Sequence, residues 1–520
     1  MTTRTARVRA GGVLLATDVH LPPPGPTGRR YPAVLIRTPY GRRAHRPEAR
    51  AWTARGFAAV VQDVRGRYGS GGDWWPYVHE RADGAATLRW IRDRPWSDGR
   101  VVAAGSSYAA YCALVTATGR DREGTGAGTE PDAVVAAVPA LGTAETAREP
   151  SGAERLLGRA GWWAAHGDRT DSDPAALDRL LGRDPALLTH LPVLDLPARL
   201  GRALPSWPGI WQARRADRVI RSAPAARTPL LAIGGTHDPF AADTLALWRA
   251  WGGPARLLLG PWGHRLIHDP GPGARPEHRV DPGGLTAAWA RAVCEGHPPE
   301  GRRGAVALAG TPYWFPATAL IEPSAARRFP LAAGPLGVSL LYGADFRADP
   351  ARPVRSDDLR ADPPRADGDR ADRALFVTAP LARATDLLGP AAAELRATAG
   401  TPVADWFVRL VALDPRGRAE PLALGTARTV RTPGTWSTVT VPLGQLARRL
   451  PAGTRLRIEA AGHHFPAHAR NPHTGEDPVT AVRLLPSDRA LRPADCALLL
   501  PVAELRGSDA VPDLSQEIRT

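Results

Sequence analysis

The sequence predicts an α/β fold on a largely parallel sheet, with a helical insert and a C-terminal antiparallel β-sandwich. Three observations lead there. Up to about residue 143, short apolar runs at 33–36, 57–61, 101–104 and 134–138 alternate with amphipathic stretches such as 82–92, the texture of βαβ units. From about 145 to 225, leucines recur at helical spacing (Leu156, Leu157, Leu177, Leu180, Leu181, Leu187, Leu188, Leu194), broken by prolines. Beyond about 345, alternating runs at 374–377, 406–411, 438–441 and 455–460 are separated by Pro, Gly and Asp turns, as in a sandwich. The expected organisation is a core in two parts, 1–143 and 226–345, an inserted helical cap at 144–225, and a sandwich at 346–520. The Pro- and Arg-rich segment 349–373 reads as an exposed connection into the sandwich.

Composition narrows the function classes. A chain of 520 residues exceeds one ordinary core, and 43% hydrophobic residues argue against disorder. No apolar stretch approaches the roughly 18 residues needed to cross a bilayer, so no membrane partner is expected. Residues 1–10 alternate arginine with small residues and lack the apolar run of a secretory signal, so a cytoplasmic location is expected. Cys112, Cys294 and Cys496 are scattered and odd in number; they read as reduced, buried thiols, with no metal site and no cofactor expected. The formal charge of +15 rests on 67 basic residues, every one an arginine. They spread from Arg4 to Arg519 and often alternate with acids, as in Arg89-Trp90-Ile91-Arg92-Asp93-Arg94. A nucleic-acid surface would cluster them with aromatics, so no nucleic-acid partner is expected. The sequence is compatible with a homodimer.

The stretch Gly105-Ser106-Ser107-Tyr108-Ala109 follows the apolar run 101–104 and opens a helix-compatible run. A tight small-residue turn there lifts a serine Oγ out of the backbone and aims the next N–H at a substrate carbonyl. Ser107 is the candidate nucleophile, with the backbone N–H of Tyr108 as an oxyanion donor. Two further strand-like runs end at Gly234-Gly235-Thr236-His237-Asp238 and Gly260-Pro261-Trp262-Gly263-His264. Each puts an acid or a base just past a carboxyl end, where sites assemble in open α/β sheets. The order Ser107, Asp238, His264 is that of α/β-hydrolase triads: His264 as general base, Asp238 as its orienting carboxylate.

The motifs extend further. Tyr31-Pro32-Ala33-Val34-Leu35-Ile36-Arg37-Thr38-Pro39-Tyr40, Gln62-Asp63-Val64-Arg65-Gly66-Arg67 with Ser70-Gly71-Gly72, and Trp96-Ser97-Asp98-Gly99 surround the serine. His464-Phe465-Pro466 and Arg470-Asn471-Pro472-His473-Thr474-Gly475-Glu476 come late in the chain. Together these resemble the cocaine esterase/X-prolyl dipeptidyl peptidase family of serine hydrolases. The resemblance implies an α/β-hydrolase core with an inserted helical cap domain and a C-terminal jelly-roll β-sandwich that helps wall the pocket. It gives Ser107, Asp238 and His264 the triad roles and makes Tyr40 a phenolic oxyanion donor. The chain departs from the family pattern in carrying Ala110 where glycine is usual. Independently of the family, Tyr40 lies just past the strand 33–36, in the loop that ordinarily supplies the second oxyanion donor.

Phe240, two residues after Asp238, is a candidate pocket wall; Trp162 and Trp163 in the cap, along with Trp207 and Trp211, are candidates for flat apolar contact and read equally well as cap packing. His463, His464, His468 and His473 show no companion carboxylates at ligand spacing and read as a solvated loop. The expected reaction is acyl transfer from a small-molecule ester or amide to Ser107 and then to water. An ester is favoured, since a dipeptidyl peptidase must hold an ammonium with fixed carboxylates and the cap offers only Asp168, Asp171 and Asp173. The alternatives are an X-prolyl dipeptidyl peptidase or amide hydrolase, and an acyltransferase using the same acyl-serine.

Overall fold

A computed structural model of the chain describes residues 2–23, 29–118, 129–332, 334–359, 366–367 and 370–519. One ten-stranded sheet carries the core. Its strands are β1 (Thr2–Ala10), β2 (Val13–Leu21), β3 (Tyr31–Thr38), β4 (Ala58–Asp63), β5 (Ser97–Ser106), β6 (Ala133–Ala137), β7 (Leu230–Gly235) and β8 (Ala255–Gly260), then Arg302–Ala307 and Trp314–Pro316. They lie in the order β1-β2-β4-β3-β5-β6-β7-β8, followed by the last two. From β4 to Arg302–Ala307 all neighbours are parallel, and both edges are closed by antiparallel partners. A parallel sheet is covered on both faces, which explains why Val34, Val60, Val102, Val134, Leu231 and Leu258 are all buried.

The register aligns the carboxyl ends, with Ser106 opposite Ala137 and Gly235 opposite Gly260. Helices α1 (Arg46–Ala54), α2 (Glu80–Arg92) and α3 (Tyr108–Val115) belong to the first half of the core. A Cβ on Gly105 would stand 2.4 Å from the Ala109 carbonyl carbon, so the glycine lets α3 rest directly on β5.

The cap is helical, as expected. It comprises α4 (Thr143–Ala147), α5 (Leu156–His166) and short helices at Ala176–Arg183, Leu196–Arg199, Trp207–Gln212 and Arg218–Ser222. Its core gathers Leu156, Trp163, Leu177, Leu188, Trp207 and Trp211. Phe465, Ala469 and Val479, from the far end of the chain, complete it.

The C-terminal domain is a β-sandwich of a nine-stranded and a five-stranded sheet. The long strand Thr385–Ala399 pairs with Ser437–Leu450 in one sheet, and Val403–Leu413 lies between Ala419–Val430 and Arg455–Ala461 in the other. Phe346, Phe376, Trp406, Val441 and Ile458 fill the space between them. Three details differ from the sequence expectation. The sandwich begins before 346, because Arg327–Pro330 already pairs with Ala497–Leu500. The segment after 349 runs within the sandwich rather than into it: strand Asp345–Ala348 precedes it, Val354 is buried, and Phe465 donates its N–H to Val354 O at 2.9 Å. Residues 360–365 and 368–369 of that segment lie outside the described residues. Finally, the chain end returns to the core, where Ile518 of helix Leu514–Arg519 is fully buried.

Candidate active site

Ser107 sits between β5 and α3 at φ 58°, ψ −120°, a conformation that L-residues rarely adopt. The turn is held by its neighbours: Ser107 N–H donates to Ala137 O at 2.9 Å, and Ala110 N–H to Ser107 O at 3.1 Å. The Oγ lies 3.1 Å from His264 Nε2, and His264 Nδ1 lies 2.7 Å from Asp238 Oδ1. Asp238 is buried, whereas the His264 side chain is 38% exposed, open to a reactant from outside. The loops bearing both are laced together, His237 N–H donating to Trp262 O at 2.9 Å. The ring of Phe240 stands edge-on to His264, centroids 5.5 Å apart.

Tyr40 follows β3 and reaches the same edge. Its phenolic oxygen accepts from Trp162 Nε1 at 3.2 Å. Burial pushes the phenol pKa up, and Trp162 and Ser107 draw it partly back. The hydroxyl therefore stays protonated and able to donate at neutral pH. As the first residue of α3, Tyr108 has an amide without an intrahelical acceptor. Its side chain points away from the elbow, where its buried hydroxyl donates to Glu80 Oε1 and accepts from Tyr77 N–H at 2.8 Å. Burial raises the Glu80 carboxyl above its ordinary value.

Ser107, Tyr40, His264, Phe240 and Trp162 line one cavity of about 440 Å³, within the size range of small-molecule sites. Trp163 is not among its walls. It is 3% exposed and packed in the cap core, its ring perpendicular-on to Trp162; successive helical residues point about 100° apart, so only one of the pair can face the serine. Trp207 and Trp211 are likewise cap core.

The histidine-rich loop is also placed differently. His463, His468 and His473 are buried rather than solvated. His468 Nε2 meets Glu149 Oε1 at 3.0 Å, and His473 lies between Leu485 O (2.8 Å) and Arg489 Nη2 (3.0 Å). Their neighbours are a cap carboxylate, a carbonyl and a guanidinium, and among the described residues no group of His, Cys, Asp and Glu is disposed to hold a metal ion. The three cysteines are free and buried. Among the described residues no helix is long and apolar enough to cross a membrane.

Sequence reasoning missed Arg67, although it ends the quoted motif 62–67. Fully buried, Arg67 donates from Nε to Pro39 O at 2.8 Å, from Nη1 to His166 O at 3.1 Å, and from Nη2 to Ser172 Oγ at 2.7 Å. It thus fastens the residue before Tyr40 to the cap. Two adjacent arginines around a glycine were the available signal.

The sheet, the elbow, the cap and the jelly-roll domain together make this an α/β-hydrolase fold. The model of the X-Pro dipeptidyl-peptidase (S15 family) matches residues 11–265, and that of the X-Pro dipeptidyl-peptidase C-terminal non-catalytic domain matches residues 316–492. The cocaine esterase of Rhodococcus sp. (strain MB1 Bresler) is 26% identical over 559 residues, covering 89% of this chain and 91% of its own. Solved structures share the fold. An aminopeptidase from a marine sediment Thaumarchaeota archaeon superposes with TM-score 0.75 at 19% identity, covering 97% of this chain and 96% of its own. An α-amino acid ester hydrolase gives TM-score 0.75 at 18% identity, covering 96% of each chain. The chain belongs to the cocaine esterase/X-Pro dipeptidyl-peptidase family, and it is a hydrolase.

Proposed function

We propose that the protein is a serine esterase working through an acyl-enzyme. The observation that carries this reading is the unbroken chain Asp238–His264–Ser107, with contacts of 2.7 and 3.1 Å, ending on a strained elbow. As Ser107 Oγ attacks the carbonyl carbon, His264 Nε2 takes its proton, and Asp238 fixes the tautomer and stabilises the imidazolium. The carbonyl oxygen, now negative, receives the Tyr108 N–H and the Tyr40 O–H. Collapse returns the proton from Nε2 to the leaving oxygen and leaves the acyl group on Ser107. Water repeats the sequence with His264 as base and releases the acid.

An ester is favoured over an N-terminal dipeptide on electrostatic grounds. Asp168 is engaged by Ser206, Asp171 by Arg169, and Asp173 by Arg179, so none of the three is free to receive an ammonium. Among the described residues the single carboxylate in the cavity walls is Asp178, exposed on its helix. The test has two stages. A fluorophosphonate probe should label the wild type and fail on Ser107→Ala. Aryl esters should then be turned over faster than X-prolyl anilides; the reverse preference would make the enzyme a peptidase, and labelling of Ser107→Ala would move the nucleophile elsewhere.

A further inference from the structure

The cavity beside Ser107 is walled by a cation with no counter-ion. Arg159 lies one turn before Trp162 on α5, its guanidinium 5.8 Å from the indole centroid. Nη1 donates to Thr146 Oγ1 at 3.1 Å. Among the described residues, Nε is sealed in protein without an acceptor, and Nη2 has no partner either but, unlike Nε, is not sealed off. Its neighbour one turn back shows the ordinary solution: Arg155 is neutralised by Glu149 through two bonds of 2.8 and 2.7 Å. No carboxylate stands within ion-pair reach of Arg159 among the described residues. The titratable groups nearest it are the neutral phenols of Tyr77 and Tyr40 and the cation of Arg155, and burial pulls its pKa below the usual arginine value.

An unpaired, partly buried guanidinium is costly to keep, and its planar fork is well matched to a carboxylate. We propose that Arg159 receives a carboxylate carried by the substrate, so that the enzyme selects acidic esters or amides. This rests on the serine-hydrolase reading above and names its substrate class. The anion would complete the ion pair that the fold leaves open, on the wall that also carries the aromatic face of Trp162. An ammonium in the same place would meet the uncompensated charge of Arg159, which disfavours substrates with a free N-terminus. The formal charge of +15 also favours the approach of anions, but that long-range effect does not depend on Arg159, and the two can be separated.

The experiment measures kcat/KM, with uncatalysed hydrolysis subtracted, for charged and neutral members of matched pairs. On the acyl side the pairs are p-nitrophenyl hydrogen glutarate with its methyl ester, and the corresponding succinates. On the leaving-group side they are the acetates of 3- and 4-hydroxybenzoate with their methyl esters. The wild type should prefer the acid in one arm, which also tells which half of the substrate carries it. In Arg159→Gln that preference should fall by about ten- to a hundredfold, the loss of one charged hydrogen-bonded pair. A wild-type ratio at or below one in both arms overturns the proposal, as does a ratio unchanged in Arg159→Gln. If that variant does not fold, wild-type inhibition decides: competition by glutarate but not glutaramide is expected, and equal inhibition by both overturns it. Probe labelling of Ser107 and turnover of p-nitrophenyl butyrate test the hydrolase reading separately, because neither reagent carries a carboxylate.

Discussion

Trp162 Nε1 donates to the phenolic oxygen of Tyr40 across 3.2 Å, joining a cap helix to the loop after β3. A phenol that accepts from the indole keeps its own hydrogen free to point elsewhere. Tyr40→Phe should therefore lower kcat by about a hundred- to a thousandfold, the range for loss of one oxyanion donor, with little change in KM. Steady-state kinetics on an activated aryl ester checks this. Unchanged kcat would leave the hole to backbone amides alone.

Trp162→Phe removes the indole N–H while keeping an aromatic wall. The phenol loses its anchor but not its donor hydrogen, so kcat should fall by about tenfold, the cost of one modest hydrogen bond. In the Tyr40→Phe background the same change should cost almost nothing in kcat, which a double-mutant cycle reads directly.

Ser107 holds φ 58° with a side chain. Glycine adopts that geometry freely. Ser107→Gly should abolish turnover yet raise stability by about 1 kcal/mol, the usual size of such strain. Denaturant unfolding measures it, and a variant less stable than wild type would show that the elbow is not strained.

Arg428 bridges two buried carboxylates, Glu154 of the cap segment at 2.9 Å and Asp405 of the sandwich at 2.6 Å, both 1% exposed. Arg428→Ala strands the charge of Asp405, while Glu154 keeps its ion pair with Arg148, and should cost about 3–5 kcal/mol, seen as a large fall in Tm. Arg428→Met, which restores volume but not charge, should recover little.

Stability should decline as pH drops below that of neutral histidine. Burial, then neighbouring cations or histidines, brings His464 to about 3 and His473 to about 4, while His463 is also driven down. The unfolded chain then binds more protons than the folded one from about pH 6.5 downward. The stabilisation is complete above that pH and is lost as pH falls toward the folded values. For fully buried His473 alone the loss at pH 5 is about 2 kcal/mol. Thermal unfolding between pH 7.5 and 5 tests the sign; a Tm that rises toward acid would contradict it.

The parallel strands flanking the site, and the placement of Ser107, Asp238, His264 and Tyr40 just past their ends, were readable because a buried parallel strand writes itself as an apolar run and its end as a small-residue turn; the spatial order of the strands was not. Pairings that depend on distant side chains were not. Nothing in local sequence says that Trp162 rather than Trp163 faces the cavity, since that depends on the rotation of α5 against the sheet. Nor could the histidine loop be read as buried, because its cover comes partly from the cap, with Glu149 on His468 some 300 positions earlier, and partly from Leu485 and Arg489 on His473. The sandwich boundary was misplaced because Arg327–Pro330, four residues long and flanked by short loops, carries too little alternation to register as a strand.

The roof over the serine is fastened along its length. Leu157 N–H binds Pro466 O at 3.1 Å, Ala469 N–H binds Glu154 O at 2.8 Å, and Leu194 N–H binds Val479 O at 3.1 Å. A lid riveted in this way is tied at three points to the far end of the chain, although the walls of the cavity beneath it come from residues 40–264. The C-terminal part of the polypeptide thus acts as a clamp on the chamber rather than as one of its walls, so loosening 466–479 should be felt at the serine.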